Sequence, residues 1–484
     1  MAAVVVVVMA ATIVIGRCAI GPRRPIALPM IGAMGLRARL AGLTPSGQAR
    51  VPIAWALYDF ANTVFSYAVV STAFGVWLTD PTRLGLGPGQ LVQGLAIASS
   101  VGLNALVSPI LGALSDRGGR RLPFLLFFTT LTIIPSALIG PTPVLVGAVL
   151  FAIANFSYQA ALIYYDATLK SVSRPEARGR LSGIGVGVGY MGTIAVGLLI
   201  AYGIPAITGE ELGVESIFVL SAVLFTVFAA PIFLVVREPA GLSFRLADFK
   251  PDLGQIRHTL ADARRVPGLV RFLAARFFYS DAVNTIIVVM SVVAVRAMGL
   301  TLGEFVQISL LLTIVAIVAS FGWGRLVDRF GPRRTLLWVL ASWAIGLVIG
   351  AVSLSAPGTA FGTALFVLAG AIIGSGLGGV QVADRVFMIR LSPADKLGEF
   401  FGLYGLVGKG SQVIGQLAYS IIIFLLVDSF GNGAYQLAIL TLIGTMLIGY
   451  QLIRPVRDVI PGGDDVVVPP ERLSPDRAPL HPRT

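Results

Sequence analysis

From Pro52 onward the chain alternates long apolar stretches with short polar ones. The apolar runs fall near residues 52–78, 90–114, 123–140, 143–165, 180–203, 216–236, 270–295, 303–326, 334–354, 360–388, 401–427 and 434–454. An α-helix rises about 1.5 Å per residue, so roughly 20 apolar residues cross a hydrocarbon core of about 30 Å. The pattern therefore predicts an all-α integral membrane protein of twelve transmembrane helices. Its third and fourth spans are parted only by the turn Gly140-Pro141-Thr142-Pro143.

The polar stretches orient these spans. Loops after spans two, four, six, eight and ten carry Arg117, Arg120 and Arg121, then Lys170, Arg174 and Arg178, the arginines of 237–271, Arg329, Arg333 and Arg334, and finally Arg390 and Lys396. Loops on the other side hold Arg83 and Arg296, with Glu210, Glu211 and Glu215. Basic loops stay in the cytoplasm, so both termini are expected there, most simply in a cell or inner membrane.

The long loop 237–268 divides two six-helix bundles, 51–236 and 269–454. Within it Leu253, Ile256, Leu260 and Ala263 recur at helical spacing, with Arg257, Arg264 and Arg265 between them. That pattern suits a helix lying on the membrane surface, and it suits a solvated linker nearly as well. Residues 1–50 read as a disordered cytoplasmic leader, or as translation begun upstream of a start at Met30 or Met34. Residues 455–484, with seven prolines in thirty positions, read as a disordered tail.

Composition removes most other classes. Of 484 residues, 56% are hydrophobic and 12% charged, against about 25% charged in soluble domains. The net charge of +12 is spread over inter-span loops rather than gathered on one patch, which argues against a nucleic-acid partner. A single cysteine, Cys18, excludes an internal disulfide and a cysteine-rich metal site, and His258 and His481 both lie outside the spans. Nucleotide-binding and hydrolytic motifs are absent from the sequence. No cofactor, metal or enzymatic activity is expected.

Three landmarks recur a little over two hundred residues apart. Asp59, Asn62 and Thr63 return as Asp281, Asn284 and Thr285. Gly112, Asp116, Arg117, Gly119, Arg120 and Arg121 return as Gly324, Asp328, Arg329, Gly331, Arg333 and Arg334. Asp166, nine residues before Pro175, returns as Asp384 before Pro393. Each landmark follows the same number of spans in its half, so the chain is a parallel six-plus-six duplication. That is the layout of the major facilitator superfamily, whose best-known motif the Gly-x-x-x-Asp-Arg-x-Gly loop resembles. The resemblance implies a latch between the bundles. Read without it, the loop is only a basic topogenic signal.

A narrower likeness rests on Trp55-Ala-Leu-Tyr58-Asp59-Phe60-Ala61-Asn62, on Arg276 to Thr285, and on Glu399-Phe400-Phe401-Gly402-Leu403-Tyr404 with Gly408-Lys409. From about Ala54 to Leu452 the chain resembles the vacuole-effluxer-like family, the branch related to autophagy-linked amino-acid exporters. The resemblance implies secondary transport, with amino-acid export the first reading. Asp166 and Asp384 depart from the Asn and Ser expected of the family and are weaker candidates on that ground.

Asp59 and Asp281 lie nine and ten residues inside Arg50 and Arg271, roughly 14 Å deep and near the midplane. There Asp59 with Asn62, and Asp281 with Asn284, can bind a substrate ammonium or exchange a proton. As paired polar groups they can equally serve to lock the two leading helices together. Lys409 has no counterpart in the fifth span, near Tyr190, and is expected to pair a carboxylate of the substrate, of Asp59 or of Asp281, or else to snorkel to the interface. Arg276 is expected to neutralise Asp281 or face the cytosolic mouth. Asn155, Gln159, Gln412 and Gln416 are candidate cavity lining. Glycines at 183, 185, 187, 189 and 192, and at 370, 374 and 378, suit close helix packing.

The expected function is alternating-access transport of a small polar metabolite, probed first as proton-coupled amino-acid export by a monomer. A drug or metabolite exporter, a sugar permease, and a transporter-like sensor or lipid-handling protein are the alternatives.

Overall fold

The structure, a computed structural model, describes residues 40–118, 121–174, 178–210, 212–238, 254–392 and 397–457. Among them thirteen helices follow one another, and no strand occurs. The first half holds α1 (Arg50–Leu78), α2 (Leu86–Gly118), α3 (Leu122–Leu138), α4 (Val144–Val172), α5 (178–208) and α6 (Val214–Val235). A linker helix α7 (Gly254–Arg265) precedes α8 (Leu269–Ala297), α9 (Leu302–Phe330), α10 (Pro332–Ser353), α11 (Ala360–Leu391), α12 (Leu397–Phe430) and α13 (Asn432–Ile453).

Eleven of these helices are long and apolar enough to cross a membrane. The third expected span is the shorter α3, 17 residues with Pro135 inside, about 26 Å at helical rise. The helix ends obey local chemistry. Thr301 and Glu304 form a reciprocal capping box at the start of α9, with bonds of 3.1 and 2.8 Å. Gly331 turns the chain from α9 into α10 at φ 83°, a backbone conformation that a side chain would strain. The orphan amides of Arg121 and Leu122, at the start of α3, donate to the Glu238 carboxylate at 2.8 and 2.9 Å.

The duplication reappears as packing. In the first half α1 lies against α5 and α6, α2 against α4, and α3 against α4 and α6. In the second half α8, α9 and α10 repeat those neighbours with α12 and α13, with α11, and with α11 and α13. Between halves, α2 packs on α12, α5 on α9 and α1 on α8. The leading helices are the central ones: α1 and α8 are each 72% buried, against 22–44% for the other spans. Three wide π-helical segments, Phe65–Ala73, Leu199–Gly203 and Val293–Ala297, lie in α1, α5 and α8 toward the ends that touch the opposite half. Such turns often mark functional positions.

The tryptophan and tyrosine of the Trp55–Asn62 motif serve packing. Trp55 and Tyr58 both stack on Tyr165 of α4, with ring centroids 4.6 and 4.9 Å apart. Tyr58 also shares a 2.6 Å hydrogen bond with Thr129 of α3. The linker helix packs on α12 and α8, with Ala263 buried and Leu260 exposed. Its Leu253 lies outside the described residues. Of the stretch 1–50, residues 1–39 also lie outside them, while Leu43 and Thr44 are buried. Their carbonyls accept from the Arg174 amide at 2.9 Å and its Nε at 3.1 Å. Residues 458–484 lie outside the described residues.

Candidate functional site

The two halves are tied together on one face, and toward the other they present exposed charges, Asp166 of α4 and Arg385 of α11, within electrostatic range of each other across a gap. On the face of the 79–85 loop, the Arg296 guanidinium of α8 donates to the Val76 carbonyl (2.9 Å), Thr79 Oγ1 (3.3 Å) and the Asp80 carboxylate (3.0 Å). Tyr67 of α1 and Ser309 of α9 share a 2.5 Å hydrogen bond on the same side. Deeper in, Lys409 Nζ of α12 donates to Asn104 Oδ1 of α2 at 2.6 Å.

Asp59 stands on the first-half wall of the gap. It is half-buried, and no described residue donates to its carboxylate. Glycines of α5 make room for it: a methyl group on Gly185 or Gly189 would sit 3.3 or 3.5 Å from its Oδ2. Gly192 lets the same helix close on the Phe60 carbonyl. Asn62 is not Asp59's partner. Its amide is buried with neither atom bonded, so the expected Asp–Asn pair is not formed. Asp166 of α4, set aside on the family comparison, is exposed and lies within electrostatic range of Asp59.

The second half treats the equivalent residues differently. Asp281 is buried and receives Thr285 Oγ1 at 3.4 Å. It is packed so tightly on α12 that a Cβ at Gly415 would fall on its carboxylate. Asn284 is half-buried, without a described partner. Arg276 does not neutralise Asp281, as expected; its ion pair is with Asp384 of α11. Tyr279 and Tyr404 hydroxyls also donate to Asp384, the first at 3.1 Å. The Arg276 guanidinium lies over the Tyr404 ring, 3.3 Å from its centroid. The cause is helical register: Asp281 lies one turn and a third beyond Arg276 on α8 and packs on Gly415 of α12, whereas Arg276 lies between Asp384 of α11 and Tyr404 of α12.

Arg385, next to Asp384, is exposed and within electrostatic range of Asp166 across the gap. Neither Arg385 nor Asn104 stands out in the sequence as a candidate. The available signal for Arg385 was an arginine five residues inside the last basic residue of its span, Arg390. Lys409 pairs with neither Asp59 nor Asp281 among the described residues, and its ammonium donates to Asn104. Asn155 is tied to Ser100 at 2.8 Å, which makes it packing rather than free lining.

The duplicated loop motif is described mainly in its second copy. A methyl group on Gly324 would touch nothing among the described residues, and Asp328 is exposed. The Arg329 guanidinium covers the Phe330 ring at 5.2 Å, and Arg333 donates to the Arg454 carbonyl at the end of α13. In the first copy Gly112, Asp116 and Arg117 lie on α2, while Gly119 and Arg120 fall outside the described residues.

This arrangement has identifiable relatives. The family model described as vacuole effluxer Atg22 like matches residues 94–454. The chain belongs to that family. It is 27% identical to the MFS-type transporter YxiO of Bacillus subtilis (strain 168), over 82% of this chain and 93% of that one. It is 24% identical to autophagy-related protein 22 of Coccidioides immitis (strain RS), over 49% of this chain but only 42% of that longer one. Among solved structures, a nucleoside transporter NupG mutant superposes with TM-score 0.66 at 13% identity, covering 83% of this chain and 98% of that one. A D-xylose-proton symporter gives 0.63 at 14%, covering 84% and 96%. Family and fold together make the protein a multi-pass membrane transporter of the major facilitator type, not an enzyme.

Proposed function

We propose that the protein is a secondary transporter of small zwitterionic metabolites, amino acids first among them, working by alternating access. One observation carries the reading: the gap has an anionic wall and a cationic wall. Asp59 and Asp166 stand on the first half, and Arg385 and Lys409 on the second, while Arg276 is already neutralised by Asp384. A solute with an ammonium at one end and a carboxylate at the other matches that polarity. Charges held in a poorly hydrated site contribute far more to recognition than the same charges in water.

In this reading the halves open toward the arginine-bearing loops, where Asp166 and Arg385 are exposed. If positive charge stays inside, that face is cytoplasmic and the conformation is inward-facing. Both termini then lie in the cytoplasm, the membrane is the cell or inner membrane, and this conformation is the one that loads solute from the cytosol in export. Asp328 and Gly324 fit the same scheme. They are unengaged here and would close on the opposite half when this side shuts. Asp59 and Asp166, two carboxylates in mutual range, are the residues best placed to exchange a proton with the solute, so coupling to the proton gradient accompanies the proposal. One chain contains both walls, so a monomer suffices.

The test is flux in liposomes holding purified protein, with a panel of radiolabelled amino acids, a nucleoside and a pentose, each with and without a pH gradient. Uptake of an amino acid that depends on the gradient and is lost in Arg385→Ala supports the reading. Uptake of the uncharged pentose alone would reject the zwitterion site.

A further inference from the structure

Gln90 and Gln93 of α2 are completely buried, and none of their four amide atoms has a hydrogen-bond partner. Gln416 of α12 is equally buried. Its Oε1 is unpaired and its Nε2 only reaches Ser420 Oγ, one turn along its own helix, at 3.5 Å.

All three lie where the halves seal. Gly87 and Gly94 flank Gln90 on one side of α2. A methyl group at Gly87 would lie 3.3 Å from Val427 Cγ1 of α12, and one at Gly94 2.6 Å from Ser420 Cβ. Gln90, three residues from one glycine and four from the other, thus faces α12 of the opposite half. The Gln93 amide packs against Gly75 of α1. A methyl group there would meet Gln93 Nε2 and Val292 Cγ2 of α8, each at 2.6 Å. Above them, on the 79–85 loop face, Arg296 ties α8 to Val76, Thr79 and Asp80.

A dry seam between helices is best filled by aliphatic side chains. An amide without a partner loses its hydration there and gains nothing in return. Buried polar groups in folded proteins are nearly always bonded, so three unpaired amides converging on one seam call for a physical cause. Water supplies one: if this face opens, the amides are hydrated, and their stranding in the closed form favours that opening.

We infer that Gln90, Gln93 and Gln416 line the solute path through the 79–85 face in the alternate conformation, forming an uncharged hydrogen-bonding layer. A polar solute and its water can slide past such a layer. The layer itself carries no fixed charge, unlike the centre, where the solute must be held rather than passed. The inference rests on the alternating-access reading above but not on the identity of the solute.

The test needs no solute. In a Cys18→Ser background, Gln93→Cys and Gln416→Cys are reconstituted in vesicles of known orientation and exposed to a membrane-impermeant maleimide on the 79–85 face. Both are expected to react. Arg296→Ala should speed the reaction roughly tenfold, because it removes charge-assisted bonds that hold the face shut. No reaction from that face, in vesicles that take up a radiolabelled amino acid, overturns the inference and leaves the transport reading standing. Reaction without uptake of any amino acid supports the lining and rejects the solute class instead. As a second measurement, Gln90→Leu with Gln93→Leu should raise the melting temperature and slow the labelling of Ser420→Cys. A lowered melting temperature would mean the amides are satisfied in the closed form, and the inference fails.

Discussion

Arg276 of α8 and Asp384 of α11 form a buried ion pair, with side chains only 14% and 2% exposed. Their counterparts in the first half are Ala54 and Asp166, so the duplicated carboxylate lacks its cation there. The second half neutralises its aspartate internally and also bonds it to Tyr279 and Tyr404. The first half leaves its aspartate facing the gap. One difference, Ala for Arg at the repeated position, thus separates a structural tie from a residue available for chemistry.

Removing one member of a buried pair strands the other. Arg276→Ala should therefore destabilise the protein by about 3–5 kcal/mol, read as a lowered melting temperature in detergent. Arg276→Met with Asp384→Leu should recover most of that loss, because neither charge is then left unpaired.

The two midplane aspartates should behave differently despite their symmetry. Asp59→Asn is expected to abolish gradient-driven uptake with little change in melting temperature, since no described residue donates a hydrogen bond to the carboxylate. Asp281→Asn should retain transport, because that side chain is packed against Gly415 and bonded to Thr285. Equal loss of uptake in both variants, measured in liposomes, would contradict this.

Gly415 is fixed by Asp281 rather than by helix propensity. Alanine is favoured over glycine by about 1 kcal/mol in a helix interior, yet Gly415→Ala should lower the yield of folded protein, since its methyl would coincide with the carboxylate. Gly415→Ala combined with Asp281→Ala should fold, as seen by monodisperse elution from a sizing column.

The Asp80–Arg296 tie should be insensitive to pH over the physiological range. Hydrogen bonds from Thr82, together with the Arg296 guanidinium, hold the Asp80 carboxyl below the usual carboxylate range, against a smaller desolvation effect. A folded pKa below the unfolded value of about 3.9 means a contribution fully present above that value and lost as pH falls through the depressed one. Labelling of Gln93→Cys from this face, divided at each pH by the rate of a free thiol to remove the thiolate's own titration, should thus be unchanged between about pH 5 and 8, whereas Asp80→Asn should raise it throughout.

Membrane embedding, helical class and duplication were legible in the chain because they follow from one-dimensional facts. Apolar run length sets what crosses a bilayer, and the recurrence of Asp59, the glycine–aspartate–arginine loop and Asp166 exposes the repeat. What each polar side chain touches was not legible. Symmetric sequence suggested symmetric roles, but Asp281 accepts a bond from Thr285 while no described residue donates to the Asp59 carboxylate. Lys409 finds Asn104 on the other half, and Arg276 finds Asp384 rather than the aspartate nearest it in sequence. These partnerships depend on how helices distant in sequence rotate and approach one another. Run length and spacing record the face of a residue on its own helix, and only the assembled bundle decides which neighbour that face meets.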